Sequence, residues 1–319
     1  MPAPETVTPG TVTPDAAKTG DDAVVPGTPA DAAPEIAGLA AELVACGSLE
    51  MGADSPQDAR RIAELLPAGT PVYVNHLPRS RLAHTLPALM ALSDAGLEPV
   101  PHVAARRIAT RAEAKSFLEQ AVQRAGVRKM LLIGGDLAAP LGPYADAAAL
   151  LRDGLLAGSG LQQIGFAGYP EGHPRIASAK LADALADKLA LAKAQGLGSY
   201  VVTQFSFAPA RIVEYGADLA RRAPNVPVYV GLAGPTSPVT LLKFAQCCGV
   251  SASLRALQAE GMRAVRLFTH VDPTDQLIAL ARHARSGSLG NLVGVHLYSF
   301  GGVAATAQWM NARITARRT

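Results

Sequence analysis

Tyr169, Glu171 and His173 fall within five residues of one another, in the stretch Gly168-Tyr169-Pro170-Glu171-Gly172-His173-Pro174. The stretch follows directly on the apolar run Ile164-Gly165-Phe166-Ala167. A β-branched and aromatic run that ends in Gly and Pro reads as a buried strand opening into a loop. Pro170 and Pro174 stiffen that loop, so a phenol, a carboxylate and an imidazole are presented on a rigid surface. Loops after the strands of parallel α/β folds are where ligands bind.

Other chemistry-bearing side chains share this placement at the ends of apolar runs. Glu50 closes Ser48-Leu49-Glu50, and a carboxylate at the end of a buried strand is costly unless paired or protonated. Burial of this kind raises a carboxyl pKa, which makes Glu50 a candidate general acid. Asp136 follows Gly134-Gly135, and two glycines let a ligand approach the backbone closely. Gln204 offers paired donor and acceptor groups suited to the amide edge of a heterocycle. Its neighbours Phe205 and Phe207 read as core unless the loop exposes one. His76, His102 and His296 each end a run, and each taken singly reads as a neutral, satisfied histidine. Their spacing is not a zinc-ligand pattern, nor is that of Cys46, Cys247 and Cys248, so no metal is expected.

These residues need a scaffold that brings strand ends together. Eight apolar runs alternate with longer amphipathic segments: Leu43 to Met51, Val72 to Asn75, Pro99 to Val103, Lys129 to Ile133, Gln163 to Ala167, Ser199 to Phe205, Val226 to Leu232 and Leu292 to Phe300. Helices are predicted at Ser80 to Asp94, Arg111 to Ala125, Ser178 to Gln195 and Thr274 to Arg285, three of them followed by Gly96, Gly126 and Gly196 as C-cap residues. Two more are predicted between the last strands, at Ser237 to Cys247 and Val250 to Glu260. Buried strands alternating with helices give a parallel sheet, and eight is the number that closes a (β/α)8 TIM barrel. An open doubly wound sheet is the alternative, but no Gly-x-Gly-x-x-Gly turn follows the first strand.

Composition bounds the rest. With 319 residues and 49% hydrophobic content, one barrel accounts for residues 37–319. Residues 1–36 are built largely from Ala, Pro, Thr, Gly and Asp, without aromatic residues or hydrophobic period, and are predicted to be a disordered tail. The net charge of +3 and 17% charged content imply no nucleic-acid face. No apolar segment reaches a membrane span and no signal peptide is present, so a cytoplasmic protein without a membrane partner is expected.

The order Ser-Leu-Glu, Pro-His, Gly-Asp, Ala-Gly-Tyr-Pro-Glu-Gly-His-Pro, Thr-Gln-Phe-Ser-Phe and His-Leu-Tyr-Ser resembles the methylenetetrahydrofolate reductase family from about Leu43 to Ile314. That resemblance implies a (β/α)8 oxidoreductase of one-carbon metabolism that supplies methyl groups, as for methionine biosynthesis. It would interconvert 5,10-methylenetetrahydrofolate and 5-methyltetrahydrofolate, with NADH or NADPH as co-substrate and FAD as bound carrier. By the same resemblance Glu50 is the general acid that helps open the methylene-bridged ring, and Asp136 is a catalytic carboxylate near flavin and pterin. Gln204, Tyr298 and Phe205 are expected on the folate. His102, Gly135, Asp136, Tyr144, Ala167, Gly168, Tyr169 and His173 are expected around the flavin. A folate partner follows, and a homo-oligomer is compatible.

The chain departs from the family at its cations. Gly134-Gly135-Asp136 stands where Arg-Gly-Asp is usual, Gly301-Gly302 follows Tyr298-Ser299-Phe300 where an arginine is usual, and Asp187-Lys188-Leu189-Ala190-Leu191-Ala192-Lys193 is largely apolar. A diphosphate needs cations or helix N-termini. Lys188, Lys193, Arg106 and Arg107 are the nearest substitutes. Two alternatives to the flavin enzyme therefore stand: direct hydride transfer from the nicotinamide, or a non-redox folate-binding barrel serving a methyltransferase or demethylation pathway.

Overall fold

The computed structural model describes residues 33–76, 80–237, 240–241, 243–244, 250, 272–286 and 291–316. Eight strands form a closed barrel in sequence order, every neighbouring pair parallel. They are β1 Ser48–Met51, β2 Pro71–Val74, β3 Glu98–Ala104, β4 Lys129–Ile133, β5 Gln163–Gly168, β6 Gly198–Thr203, β7 Val228–Ala233 and β8 Leu292–Tyr298. The described helices, numbered in order, are α1 Pro34–Ala45, α2 Asp58–Ala63, α3 Leu86–Asp94, α4 Arg111–Ala125, α5 Ala147–Arg152, α6 Ser178–Ala194, α7 Pro209–Arg222, α8 Thr274–Arg285 and α9 Val303–Thr315. The chain is a (β/α)8 TIM barrel.

The strands alternate between two packed regions, as the period of two requires. Leu49, Met51, Val72, Val74, Ile164 and Phe166 face the helices and join one continuous shell of core. Tyr73, Val100, Leu131, Tyr200 and Val202 fill the barrel interior, with Ile133 and Tyr229 against them. Three of the seven tyrosines thus lie inside the barrel. Gly165 makes room for one of them, since a Cβ there would sit 2.4 Å from the Tyr200 ring.

Helix boundaries follow local chemistry. Thr110 caps α4 by accepting the Glu113 N–H at 3.0 Å, and the Glu113 carboxylate accepts the Ala109 N–H at 3.0 Å. Gly126 ends α4 with φ +63°, the left-handed conformation a glycine adopts without strain.

Several boundaries differ from the sequence reading. Leu43, Val44 and Ala45 form the last turn of α1, not the start of a strand, because Leu43 and Val44 bury the helix face beside Ile36, Ala40 and Ala41. That helix begins at Pro34, inside the stretch assigned to the tail. β6 ends at Thr203 and β8 at Tyr298, so Gln204, Phe205, Ser299 and Phe300 belong to loops. The expected tail over residues 1–32, most of the two helices expected over 237–260, and Cys247 and Cys248 lie outside the described residues.

Candidate functional site

Inside the barrel, Glu50 is 7% exposed and meets residues on β8, on β3 and just past β2. His296 Nε2 on β8 lies 3.5 Å from Glu50 Oε1, and His102 Nε2 on β3 lies 3.7 Å from the same oxygen. Asn75, just past β2, donates to Oε2 at 3.2 Å. Tyr73 sets its ring edge-on to His102 at 5.7 Å and to His296 at 4.6 Å. Tyr73 and Asn75 are two residues apart and so share a face, which is the only sequence signal that could have pointed to Tyr73. The three candidate histidines are thus not equivalent: two face Glu50, while His76 places Nε2 3.1 Å from the Ser80 carbonyl. Among the described residues no group of side chains could hold a metal ion.

The expected upward shift of the Glu50 pKa is overturned. Burial does push it up, but the His296 hydrogen bond, the fields of His102 and His296 and the Asn75 amide outweigh burial and hold the carboxyl below its ordinary range. His102 is pushed down to about 4, chiefly by burial, so its imidazole is neutral at neutral pH. The resting site is therefore a carboxylate facing a neutral imidazole.

Asp136, in the loop after β4, is held by Arg107. The guanidinium sits in a 3-10 turn after β3 and donates to Oδ1 through Nη2 at 2.5 Å and Nε at 3.1 Å. The Arg107 side chain is only 7% exposed, whereas that of Asp136 is 65% exposed. Burial opposes ionisation of Asp136, yet the Arg107 bonds win and lower its pKa. His76 feels both Arg107 and Asp136, and His102 feels His76, so the carboxylate pair and the histidines form one electrostatic neighbourhood. Gly135, at φ +91°, brings the turn against Ala104 and Arg106.

On the other side of the barrel mouth, Tyr169 and His173 pack edge to face at 5.3 Å. Gly168 lets Tyr215 of α7 approach, since a Cβ would lie 2.6 Å from its hydroxyl. Ala167, one residue earlier, is half-buried. Gln204 donates its backbone N–H to the Gly168 carbonyl at 2.8 Å, and its side-chain oxygen accepts the Phe205 N–H at 3.1 Å. Tyr298 donates to the Thr203 carbonyl at 2.9 Å and packs against His296 at 4.9 Å. It therefore stands beside the Glu50 group.

Two expected positions are buried in packing. Phe205 is 1% exposed within a cluster with Ala233, Leu241 and Val250, so it is a packing residue there, and Phe207, Phe244, Tyr298 and Phe300 are the half-buried rings at its edge. Tyr144 is buried in the shell between strands and helices, and its hydroxyl donates to Asp153 at 3.1 Å.

The four cations expected as substitutes do not fit an FAD diphosphate. Arg107 is committed to Asp136, and Arg106 donates to the Ala145 carbonyl at 2.6 Å and the Leu137 carbonyl at 2.7 Å. Lys188 lies over the Phe166 ring at 5.2 Å on the helix-facing side of β5. Lys193 lines an outer groove with Leu197, Asn225 and Val226, which precede β6 and β7 at the opposite end of the barrel. Neither lysine replaces a cation at the strand C-terminal ends.

The methylenetetrahydrofolate reductase family matches residues 57–258, more than half of the chain. An uncharacterised protein from Clostridium thermocellum that binds two copies of 5-methyl-5,6,7,8-tetrahydrofolic acid superposes with a TM-score of 0.55 at 13% identity, over 84% of this chain and 96% of that one. A sialic acid aldolase from Ruminococcus gnavus gives 0.43 at 12% identity, over 85% of this chain and 74% of that one. At 13% identity the Clostridium thermocellum protein speaks to the barrel architecture alone.

Proposed function

This chain belongs to the methylenetetrahydrofolate reductase family, and from that premise we propose that it interconverts 5,10-methylenetetrahydrofolate and 5-methyltetrahydrofolate by hydride exchange with NADH or NADPH. The observation that carries this reading is Glu50, a carboxyl buried inside the barrel against two imidazoles and an amide. A group that only bound folate would have little need of so costly a placement. The methyltetrahydrofolate bound by the Clostridium thermocellum protein lends support to a folate ligand.

In the reductive direction Glu50 gives its proton to N10 of the folate. The bond from N10 to the methylene carbon breaks, its electron pair stays on N10, and the N5 iminium cation is left. Hydride, with its electron pair, then passes from C4 of the reduced nicotinamide to the methylene carbon, giving the 5-methyl group and the oxidised nicotinamide. Since the resting carboxyl is ionised, it must take up a proton as folate enters, and exclusion of water by the pterin favours that uptake. In the oxidative direction the same carboxylate is ready to accept the N10 proton. Asp136, fixed by Arg107, offers a negative charge to pterin N–H groups, and Gln204 offers an amide to the same heterocycle.

The family's bound FAD is set aside because the four substitute cations are committed elsewhere or sit away from the site. Charged hydrogen bonds contribute roughly 1.5–3 kcal/mol each, so loss of several weakens a dinucleotide by orders of magnitude. The purified protein tests this directly. A colourless protein that oxidises NADH or NADPH only with methylenetetrahydrofolate is the expected result. A yellow protein with a flavin absorption band would restore the flavin carrier, and a folate-binding protein inert with both nicotinamides would reject the reductase reading.

A further inference from the structure

Ser48 and His296 stand behind the Glu50 carboxyl, and the proton transfer above gives neither of them a part. Ser48 opens β1 and pairs in register with His296 on β8. Its Oγ lies 2.8 Å from His296 Nδ1, with both residues buried, the histidine at 0% exposure. The other ring nitrogen, Nε2, is buried, and its contact is Glu50 Oε1 at 3.5 Å, the long end of hydrogen-bond distance. A buried ring nitrogen needs a polar partner, and the atom within reach here is the carboxyl oxygen of the candidate acid.

We propose that Ser48 and His296 are the positioning pair of Glu50: the hydroxyl donates to Nδ1, which places the imidazole proton on Nε2 and aims it at Oε1. A neutral imidazole carries one N–H, and the bond made at one nitrogen decides where it sits. With Nδ1 occupied as an acceptor, Nε2–H is a donor and favours the ionised carboxylate. The opposite tautomer would set a lone pair against that carboxylate, and it is compatible only with the protonated acid. The lowered pKa of Glu50, for which the His296 bond is the largest favourable cause, agrees with the first arrangement.

The groups facing this pair come from every strand around it. β2 brings the Tyr73 ring at 4.6 Å, the chain just past β2 brings the Asn75 amide on Oε2, β3 brings His102, and β8 brings Tyr298 at 4.9 Å. His102 competes for the same oxygen from 3.7 Å and has an orphaned Nε2 of its own. What distinguishes His296 is the serine bonded to its far nitrogen.

The role rests on Glu50 being the acid, but its test needs no folate and no turnover. Nitrogen-15 shifts of labelled histidine, assigned by difference against His296→Gln, report the tautomer in the full-length protein. The carboxyl carbon-13 shift of Glu50, assigned against Glu50→Gln, reports its titration. Wild type is expected to show a protonated Nε2 and a bare Nδ1 on His296. Ser48→Ala releases the tautomer and is expected to raise the proton affinity of Glu50 roughly three- to tenfold, the weight of one hydrogen bond, and Ser48→Thr restores it. A protonated Nδ1 in wild type, or a Glu50 midpoint unmoved in Ser48→Ala, overturns the proposal. If Ser48→Ala does not fold, the wild-type nitrogen shifts decide alone. A protein that shows the expected shifts yet never turns over leaves the positioning pair standing and removes the reductase reading instead.

Discussion

His102 Nε2 and Glu50 Oε1 approach to 3.7 Å although β3 and β1 are not neighbours in the sheet. Only side chains that point into the barrel can meet across an intervening strand, and Tyr73 of β2 sets its ring edge-on to His102 beside them. The acid is thus walled by rings and seen by water only slightly.

If that enclosed carboxyl supplies the proton, Glu50→Gln keeps the shape and the Asn75 contact but has no proton to give. Turnover is expected to fall by about 10²-fold or more, the usual weight of a positioned acid, while folate affinity stays within a few-fold. Steady-state rates paired with equilibrium folate titration check this. Unchanged turnover would remove Glu50 from the chemistry.

Acid should destabilise the fold well before its carboxylates are all protonated. His102 has an ordinary value of 6.5 and a folded value of about 4, so between these limits the unfolded chain binds more protons than the folded one. Stability from this group is therefore full above about pH 6.5 and is lost progressively as pH falls toward 4. His76 and His173, also lowered by burial, act in the same direction. Denaturant unfolding at successive pH values should show the decline, and His102→Gln should flatten part of it.

The Arg107 to Asp136 pair offers an asymmetric test. Asp136→Asn removes the charged partner of a buried guanidinium, and a loss toward the lower end of about 1.5–3 kcal/mol is expected, because solvent screens the carboxylate side. Folate affinity should weaken with it. Arg107→Met leaves an exposed carboxylate and should raise the Asp136 pKa toward its ordinary value, measurable by titration of the labelled side chain.

Gly231 is the narrowest point of the wall beside Tyr298. A Cβ there would lie 2.2 Å from the Thr203 carbonyl oxygen and 2.7 Å from the Tyr298 ring, and the first of these is backbone that cannot swing away. Gly231→Ala is expected to cost about 1–3 kcal/mol and to break the Tyr298 to Thr203 hydrogen bond. Thermal unfolding reads the first effect, and comparison with Tyr298→Phe reads the second.

Much of this arrangement was legible in the chain, and the failures have physical reasons. Eight apolar runs gave the barrel because each strand is buried on both faces, and the Gly, Asp, Tyr and Gln at their ends fell where loops begin. The sign of the Glu50 shift was not legible, since burial acts locally while its two histidines arrive from β3 and β8. Arg107 and Asp136 are 29 residues apart and become partners only when β3 and β4 lie side by side. Lys193 is no substitute cation for a simpler reason. It lies fifteen positions after Ser178, the start of α6, and at about 1.5 Å per residue the helix carries it to the far end of the barrel. The helix register alone could have shown that.

The most direct test of direct hydride transfer is the fate of a label. Reduced nicotinamide carrying deuterium at the transferring C4 position is supplied with methylenetetrahydrofolate, and the methyl group of the product is analysed by mass spectrometry. The account expects deuterium to appear in the methyl group in proportion to turnover, with the proton on N10 coming from solvent through Glu50. A methyl group free of label would contradict it, because hydride parked on a flavin exchanges with water before it reaches the folate.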